Sequence, residues 1–146
     1  MTGTVLYDVR RARSDEMEAL LALRHDVFCG EQGVPEHEEM DGRDDEALHL
    51  VAVQGEEVVA TCRILFVGPT AQFSRLAVRV AERRRGIATA LLKAAELETR
   101  AVGGRRLVLH AQTYARGLYE RAGYRARGRN FVEADIEHVA MEKQLA

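Results

Sequence analysis

Apolar residues along the chain follow two rhythms, one of adjacent and alternating β-branched and aromatic positions, the other of positions three and four apart. Residues 4–10, Thr-Val-Leu-Tyr-Asp-Val-Arg, have the first and predict a strand. Ser14, Asp15 and Glu16 then offer an N-cap and an acidic first turn, and Met17, Leu20, Leu21, Val27 and Phe28 recur at the spacing of a helix with one buried face. Arg24 falls on that face, which predicts a snorkelling side chain with a buried stem or a substrate contact. From Cys29 to Glu46 the rhythm stops. Gly30, Gly33, Pro35 and Gly42 punctuate a segment crowded with Glu31, Glu36, Glu38, Glu39, Asp41, Asp44, Asp45 and Glu46. A stretch this long without periodicity is functional or mobile, and it reads either as a solvated acidic loop or as a wall that attracts a cationic amine.

The strand rhythm returns over residues 47–54 and 57–66, which flank Gly55-Glu56 and predict a hairpin. Gly68-Pro69-Thr70 turns the chain into a further strand ending near Val80, so three consecutive antiparallel strands are expected. Ile87, Leu91, Ala94, Leu97 and Ala101 mark the buried stripe of a long helix stopped by Gly103-Gly104. Residues 105–110 form a compact strand, and the helix before it predicts a parallel crossover. Residues 113–121 give a short helix stopped by Gly123, and residues 124–133 and 136–143 a closing pair of strands joined near Ala134-Asp135. The order β, α, irregular, βββ, α, β, α, ββ is that of an α+β fold, a mixed central sheet of about six or seven strands flanked by helices.

Composition narrows the setting. With 146 residues, 47% of them hydrophobic, the chain is expected to form one domain over residues 1–146. The 21 basic and 23 acidic residues nearly cancel, a formal net charge of −2, which recommends neither nucleic acid nor an anionic membrane as partner. Any anion site must be local. Cys29 and Cys62 lack metal-ligand spacing and read as free thiols, and no apolar run reaches the roughly 20 residues of a membrane span. A cytoplasmic location without a catalytic metal is the expectation.

Local chemistry gathers first at Arg83-Arg84-Arg85-Gly86-Ile87-Ala88-Thr89, a basic, glycine-bearing turn between a strand and a helix. A helix start offers unpaired backbone N–H groups and the positive end of the helix dipole, and the small residues Gly86, Ala88 and Thr89 let a large anion reach them. Alone, the turn reads equally as a solvated basic helix start with a packing glycine. Arg83-x-x-Gly86-x-Ala88 resembles the pyrophosphate-binding loop of the GNAT superfamily of acyl-CoA N-acetyltransferases. A second run, Gln112-x-x-Ala115-x-x-Leu118-Tyr119-Glu120-Arg121-x-Gly123-Tyr124, is similar to the same family's pattern of Asn, Ala and an aliphatic-Tyr-Glu-basic stretch, with Gln112 in place of Asn. Two spaced motifs in the right order are far more specific than either alone. A third likeness, residues 24–35 with Asp41-x-x-Asp44, Ala47-Leu48-His49-Leu50 and residues 131–138, is to the ElaA-like subgroup, which usually has Gly where Ala134-Asp135 begins to turn and Pro near Glu137.

The resemblance implies a GNAT-type fold with a V-shaped gap between the fourth and fifth strands that takes acetyl-CoA like an added strand. In that gap Leu76, Ala77 and Val78 would bond the pantetheine arm, Gln112 would approach it, and Arg83, Arg84, Arg85, Gly86, Ile87, Ala88 and Thr89 would surround the pyrophosphate. Tyr119 matches the family's proton donor, a role that suits a phenol whose ordinary pKa of about 10 lies near that of a leaving thiol. The fourth strand carries Gln72, Ser74 and Arg75 and no glutamate to serve as base. His110, at the end of the fifth strand, is the preferred base, with His49, Glu133 and His138 as further candidates. Arg24, Phe28, Glu31, Asp41, Asp44 and Glu133 are the expected substrate contacts, and the acceptor is a small-molecule or protein amine. Exposed sheet edges would allow a homodimer. Two other readings stay open: a non-catalytic acyl-CoA-binding or protein-interaction module, and an enzyme similar to acyl-homoserine-lactone synthases on Arg24-x-x-x-Phe28, Asp41, Asp44 and Arg63, although the chain has no Trp.

Overall fold

A computed structural model of the protein describes residues 7–145, so part of the first expected strand, residues 4–6, lies outside the described residues. The remainder forms a seven-stranded sheet in the order β1-β2-β3-β4-β5-β7-β6. Its strands are β1 (Asp8–Arg11), β2 (Leu48–Gln54), β3 (Glu57–Val67), β4 (Thr70–Val78), β5 (Arg106–Gln112), β6 (Arg125–Glu133) and β7 (Ile136–Gln144). The helices are α1 (Met17–Arg24), α2 (Glu36–Glu39), α3 (Ile87–Ala101) and α4 (Arg116–Arg121). Every strand pair is antiparallel except β4 and β5, which α3 joins in parallel.

The two faces of the sheet are sorted by side-chain alternation. Leu50, Ala52, Cys62, Ile64, Ala71, Phe73, Leu107, Leu109, Val139 and Met141 meet Ile87, Leu91, Leu92 and Ala95 of α3 in the main core. On the other face Leu20 packs with Val51 and Val53, and Leu23 and Val27 pack with Ala77. The two faces hand over along β4 at an irregularity opposite Thr61 and Arg63, where Arg75 takes a left-handed φ of 57°. The tip between β6 and β7 turns on Ala134 and Asp135 at φ 51° and 61°, a two-residue hairpin made without glycine.

Three local expectations are corrected. Ser14 does not cap α1. A single 3-10 turn, Ser14–Glu16, leads into the helix: Arg13 caps that turn, with its backbone N–H taken by the Glu16 carboxylate at 2.8 Å, and Glu16 is the N-cap of α1. The stripe of α3 runs through Ile87, Leu91, Leu92, Ala95, Glu96 and Thr99, whereas Leu97 is 66% exposed and Ala101 is exposed, because at about 100° per residue the stripe centres on Ala95 and positions 97 and 101 fall more than 100° away from it. The Glu96 carboxylate on this stripe accepts hydrogen bonds from the Tyr124 hydroxyl at 2.8 Å and the Lys143 ammonium at 3.1 Å. Arg24 does not snorkel. It is 1% exposed and buried with its charge paired.

Several carboxylates are locked to arginines. Hydrogen bonds from Arg10 hold Glu16 down to about 2, and the Arg63 hydrogen bonds hold Asp41 well below the usual range. Asp44, which burial alone would push up, is kept low by Arg24 and Arg63. Each loses its proton more readily in the folded chain than in the unfolded one. Their stabilisation is therefore complete above the ordinary carboxylate range near pH 4 and is lost as pH falls through the folded values. The urea midpoint is expected to be clearly lower at pH 3 than at pH 7, and less pH-dependent in Glu16→Gln. Equal midpoints at the two pH values would contradict this pairing.

Candidate active site

The site begins where β4 and β5 part. Their parallel register runs only from Thr70↔Arg106 to Phe73↔Leu109, although β4 continues to Val78 and β5 to Gln112. The strands splay because the irregularity at residues 74–77 of β4 bends it away. The β5-facing edge of Leu76, Ala77 and Val78 is thus left without a strand partner, and unpaired strand edges seek main-chain hydrogen bonds. One of these groups is already used, since the Val78 carbonyl accepts a bond from Arg83 Nε at 2.9 Å.

At the wide end of the gap stands the start of α3. Gly86 is its N-cap at φ 81°, with no atom within 4 Å of where a Cβ would be and no side chain capping the helix. The amides of Ile87, Ala88 and Thr89 head a 15-residue helix there, which makes an open, electropositive cradle. The three arginines before it differ. Arg83 pairs with Glu31 at 2.9 Å, and Arg85 lies 3.3 Å from both the Tyr7 hydroxyl and Glu82. Arg84, exposed and held at φ 65°, has no ion pair among the described residues.

Tyr119 lies on α4, 7% exposed, edge-on to Tyr124 with ring centroids 6.1 Å apart. Burial pushes its phenol well above the ordinary value, so it stays protonated through neutral pH. Its hydroxyl has no hydrogen-bond partner among the described residues. Gln112, half-buried at the end of β5, donates from Nε2 to Gln32 Oε1 at 2.8 Å. Gln32 follows a π-helical turn, His25–Glu31, that extends α1. Phe28 is half-buried in that turn. Such turns are concentrated at functional sites. Through Glu31 and Gln32, it reaches both Arg83 and Gln112.

On β5, His110 points away from the α3 side, 55% exposed, with Nδ1 3.4 Å from Glu133 Oε2 and its ring edge-on to Phe131 at 4.9 Å. Phe131 stacks on His138 at 5.8 Å. His138 is buried, with Nδ1 bonded to the Ile136 carbonyl at 2.7 Å and Nε2 3.9 Å from the same Glu133 oxygen. Both imidazoles therefore face one carboxylate. His49 lies apart on β2, its Nε2 bonded to the Asp44 carbonyl.

The acidic segment has a different arrangement from the one expected of an open wall. Arg24 donates to Glu39 at 2.6 and 3.0 Å and to Asp44 at 2.8 Å, and Arg63 donates to Asp41 at 2.8 and 2.7 Å and to Asp44 at 3.1 Å. Arg75 completes the cluster through the Glu39 carbonyl and Asp41. Arg24, Asp41 and Asp44 thus hold one another and Arg63 in place, fastening the loop onto β3 and β4. The sequence pointed to Arg24 and Asp44 but not to Glu39, Gln32 or Arg75, whose partners lie 15 to 80 residues away.

Known proteins share this architecture. A profile of the acetyltransferase (GNAT) domain matches residues 15–145. The uncharacterised N-acetyltransferase YjcF of Bacillus subtilis (strain 168) is 31% identical over 130 residues, which cover 88% of this chain and 93% of that protein. An acyl-CoA N-acyltransferase from Pseudomonas aeruginosa superposes with a TM-score of 0.81 at 27% identity, and Escherichia coli ElaA with a TM-score of 0.81 at 24% identity, each over 96% of this chain and 99% of theirs. With the splayed strands, the glycine-capped helix start and a domain match over nearly its whole length, the chain belongs to the GNAT family of N-acetyltransferases.

Proposed function

We propose that the protein moves an acetyl group from acetyl-CoA to a primary amine by direct attack, with Tyr119 as general acid and His110, oriented by Glu133, as base. The observation that carries the donor assignment is the joint geometry of Gly86 and β4: an uncapped helix start and an unpaired strand edge, fitted to a pyrophosphate and to an amide-bearing arm. Ile87, Ala88 and Thr89 offer amides to the pyrophosphate, Arg84 is the free counter-charge, and Leu76 and Ala77 offer main-chain groups to the pantetheine. Bound there, acetyl-CoA supplies the activated thioester.

The rest of the chemistry belongs to side chains. An alkylammonium loses its proton only near pH 10, so the amine needs an acceptor in place. Glu133 accepts from His110 Nδ1–H, which leaves Nε2 with its lone pair to take that proton. Tyr119, kept protonated by burial, gives its Oη proton to the departing thiolate. Gln112 turns its amide from Gln32 toward the arm as the gap fills.

Acetyl-CoA titration into the intact protein, followed by calorimetry, tests the donor site. A Gly86→Glu side chain would bring a negative charge into the cradle at a left-handed position that disfavours any Cβ by about 1–2 kcal/mol. Binding is expected in the parent and at least about 30-fold weaker in the variant, with a backbone circular dichroism spectrum that is unchanged. Absence of binding by the parent, or equal binding by both, removes the proposal.

A further inference from the structure

Helix α1 and its π-helical extension cover β2, β3 and β4 on one side of the sheet, and the same side of β5, β7 and β6 lies open beyond them. Strand register sets its rows. Val108, Glu142 and Arg125 lie side by side in one, His110, Ala140 and Arg127 in the next, and Gln112, His138 and Phe131 in a third. Within this face the two ends are of opposite charge.

At one end Glu133 stands beside His110 and His138. At the other, Arg106, Arg125 and Arg127 surround the buried Glu142 carboxylate at 3.7, 3.7 and 3.5 Å. These are charge contacts longer than hydrogen bonds, and Glu142 Oε2 has no hydrogen-bond partner. Arg106 spends two donors on Thr70 Oγ1, at 3.3 and 2.9 Å, but the guanidinium groups of Arg125 and Arg127 make no hydrogen bond among the described residues. Three guanidinium groups against one carboxylate leave two positive charges uncompensated, with planar donors free to grip an oxyanion. Meanwhile Asp41 and Asp44, the acids expected to draw in a cation, are neutralised by Arg24 and Arg63.

We infer that the acceptor amine carries an acidic group of its own, a carboxylate or phosphate, which Arg125 and Arg127 bind while Glu133 and His110 hold the amine. This rests on the acetyl-transfer reading above and names its acceptor class. Arg127 lies in the row of His110 and Arg125 one step of two residues along, both two strands across the sheet, so their backbones stand about 10–12 Å from His110 and the long side chains reaching inward leave a span of several ångströms between amine and acid. A linear chain of five methylene groups spans that distance. A polycationic acceptor fits the face poorly, because its further charges would meet the arginines.

Calorimetric titration of 6-aminohexanoate and of hexylamine into the full chain saturated with CoA tests the inference. The preceding CoA titration reports donor binding separately, so a failed donor site is told apart from a failed acceptor assignment. 6-Aminohexanoate is expected to bind about tenfold more tightly than hexylamine at low salt, with the advantage shrinking as salt rises. Arg125→Gln with Arg127→Gln is expected to abolish that advantage and leave hexylamine unchanged, while the distant Arg13→Gln changes neither. Absent or equal binding of 6-aminohexanoate, or the same loss for both ligands in the double variant, overturns it.

Discussion

Replacing Arg24 with methionine is expected to lower the melting temperature by about 10 °C. The guanidinium is 1% exposed and gives Glu39, itself 4% exposed, two hydrogen bonds. Deleting one partner of a buried pair leaves the other charge stranded, at a cost of about 3–5 kcal/mol. For a chain of this length each kcal/mol shifts the midpoint by roughly 2–4 °C. The penalty belongs to the stranded charge more than to the lost bond, so Arg24→Met with Glu39→Gln should recover a large part of it. A single variant that melts within about 2 °C of the parent would show that the pair does not hold the loop. The same experiment bears on function, because a loosened loop releases Asp41 and Asp44 from the places their arginines give them.

Tyr119→Phe is expected to reduce kcat by about 100-fold or more while the KM for acetyl-CoA stays within about twofold, the size usual for removing a general acid. The lost hydroxyl has no protein partner among the described residues, so folding should barely register the change. Burial raises the phenol above its ordinary value near 10, so the donor is protonated at neutral pH and the rate of the parent should not fall for want of it below about pH 10. Steady-state turnover measured by thiol release, on the acceptor that gives the highest rate, decides the matter. Equal turnover in the variant would take the proton transfer away from Tyr119.

The glycine-capped turn before α3 was legible in the sequence because its determinants are local. Arg83, Gly86 and Ala88 fall within one turn, and Gly86 has the left-handed φ that glycine accepts most easily. The sheet was legible for a related reason: each strand is a short run bounded by turn residues, and the parallel step between β4 and β5 follows from the helix between them. What the sequence concealed is set by contacts far apart in the chain. Nothing near Arg24 announces that Glu39 and Asp44 fold back onto it, so its place on an apolar face read as snorkelling or as a substrate contact. The acidic loop read either as a solvated loop or as a wall for the same reason, its counter-charges Arg63 and Arg75 lying on strands. Leu97 was misplaced by a stripe drawn one residue out of phase. The three arginines around Glu142 come from β5 and β6, and only the insertion of β7 between those strands brings them together.

That insertion also governs how the molecule is made. A ribosome delivers β1 to β4 first, an antiparallel set in which each of β2, β3 and β4 pairs with the strand just before it. When β5 emerges it has only the four residues Thr70 to Phe73 to lie against. Its other flank stays bare until β7, the last strand in chain order, slides in along all seven of its residues from Arg106 to Gln112. Until then the nascent chain exposes an apolar edge of the kind that chaperones guard. The cleft that would hold the donor is thus among the last parts of this sheet to form.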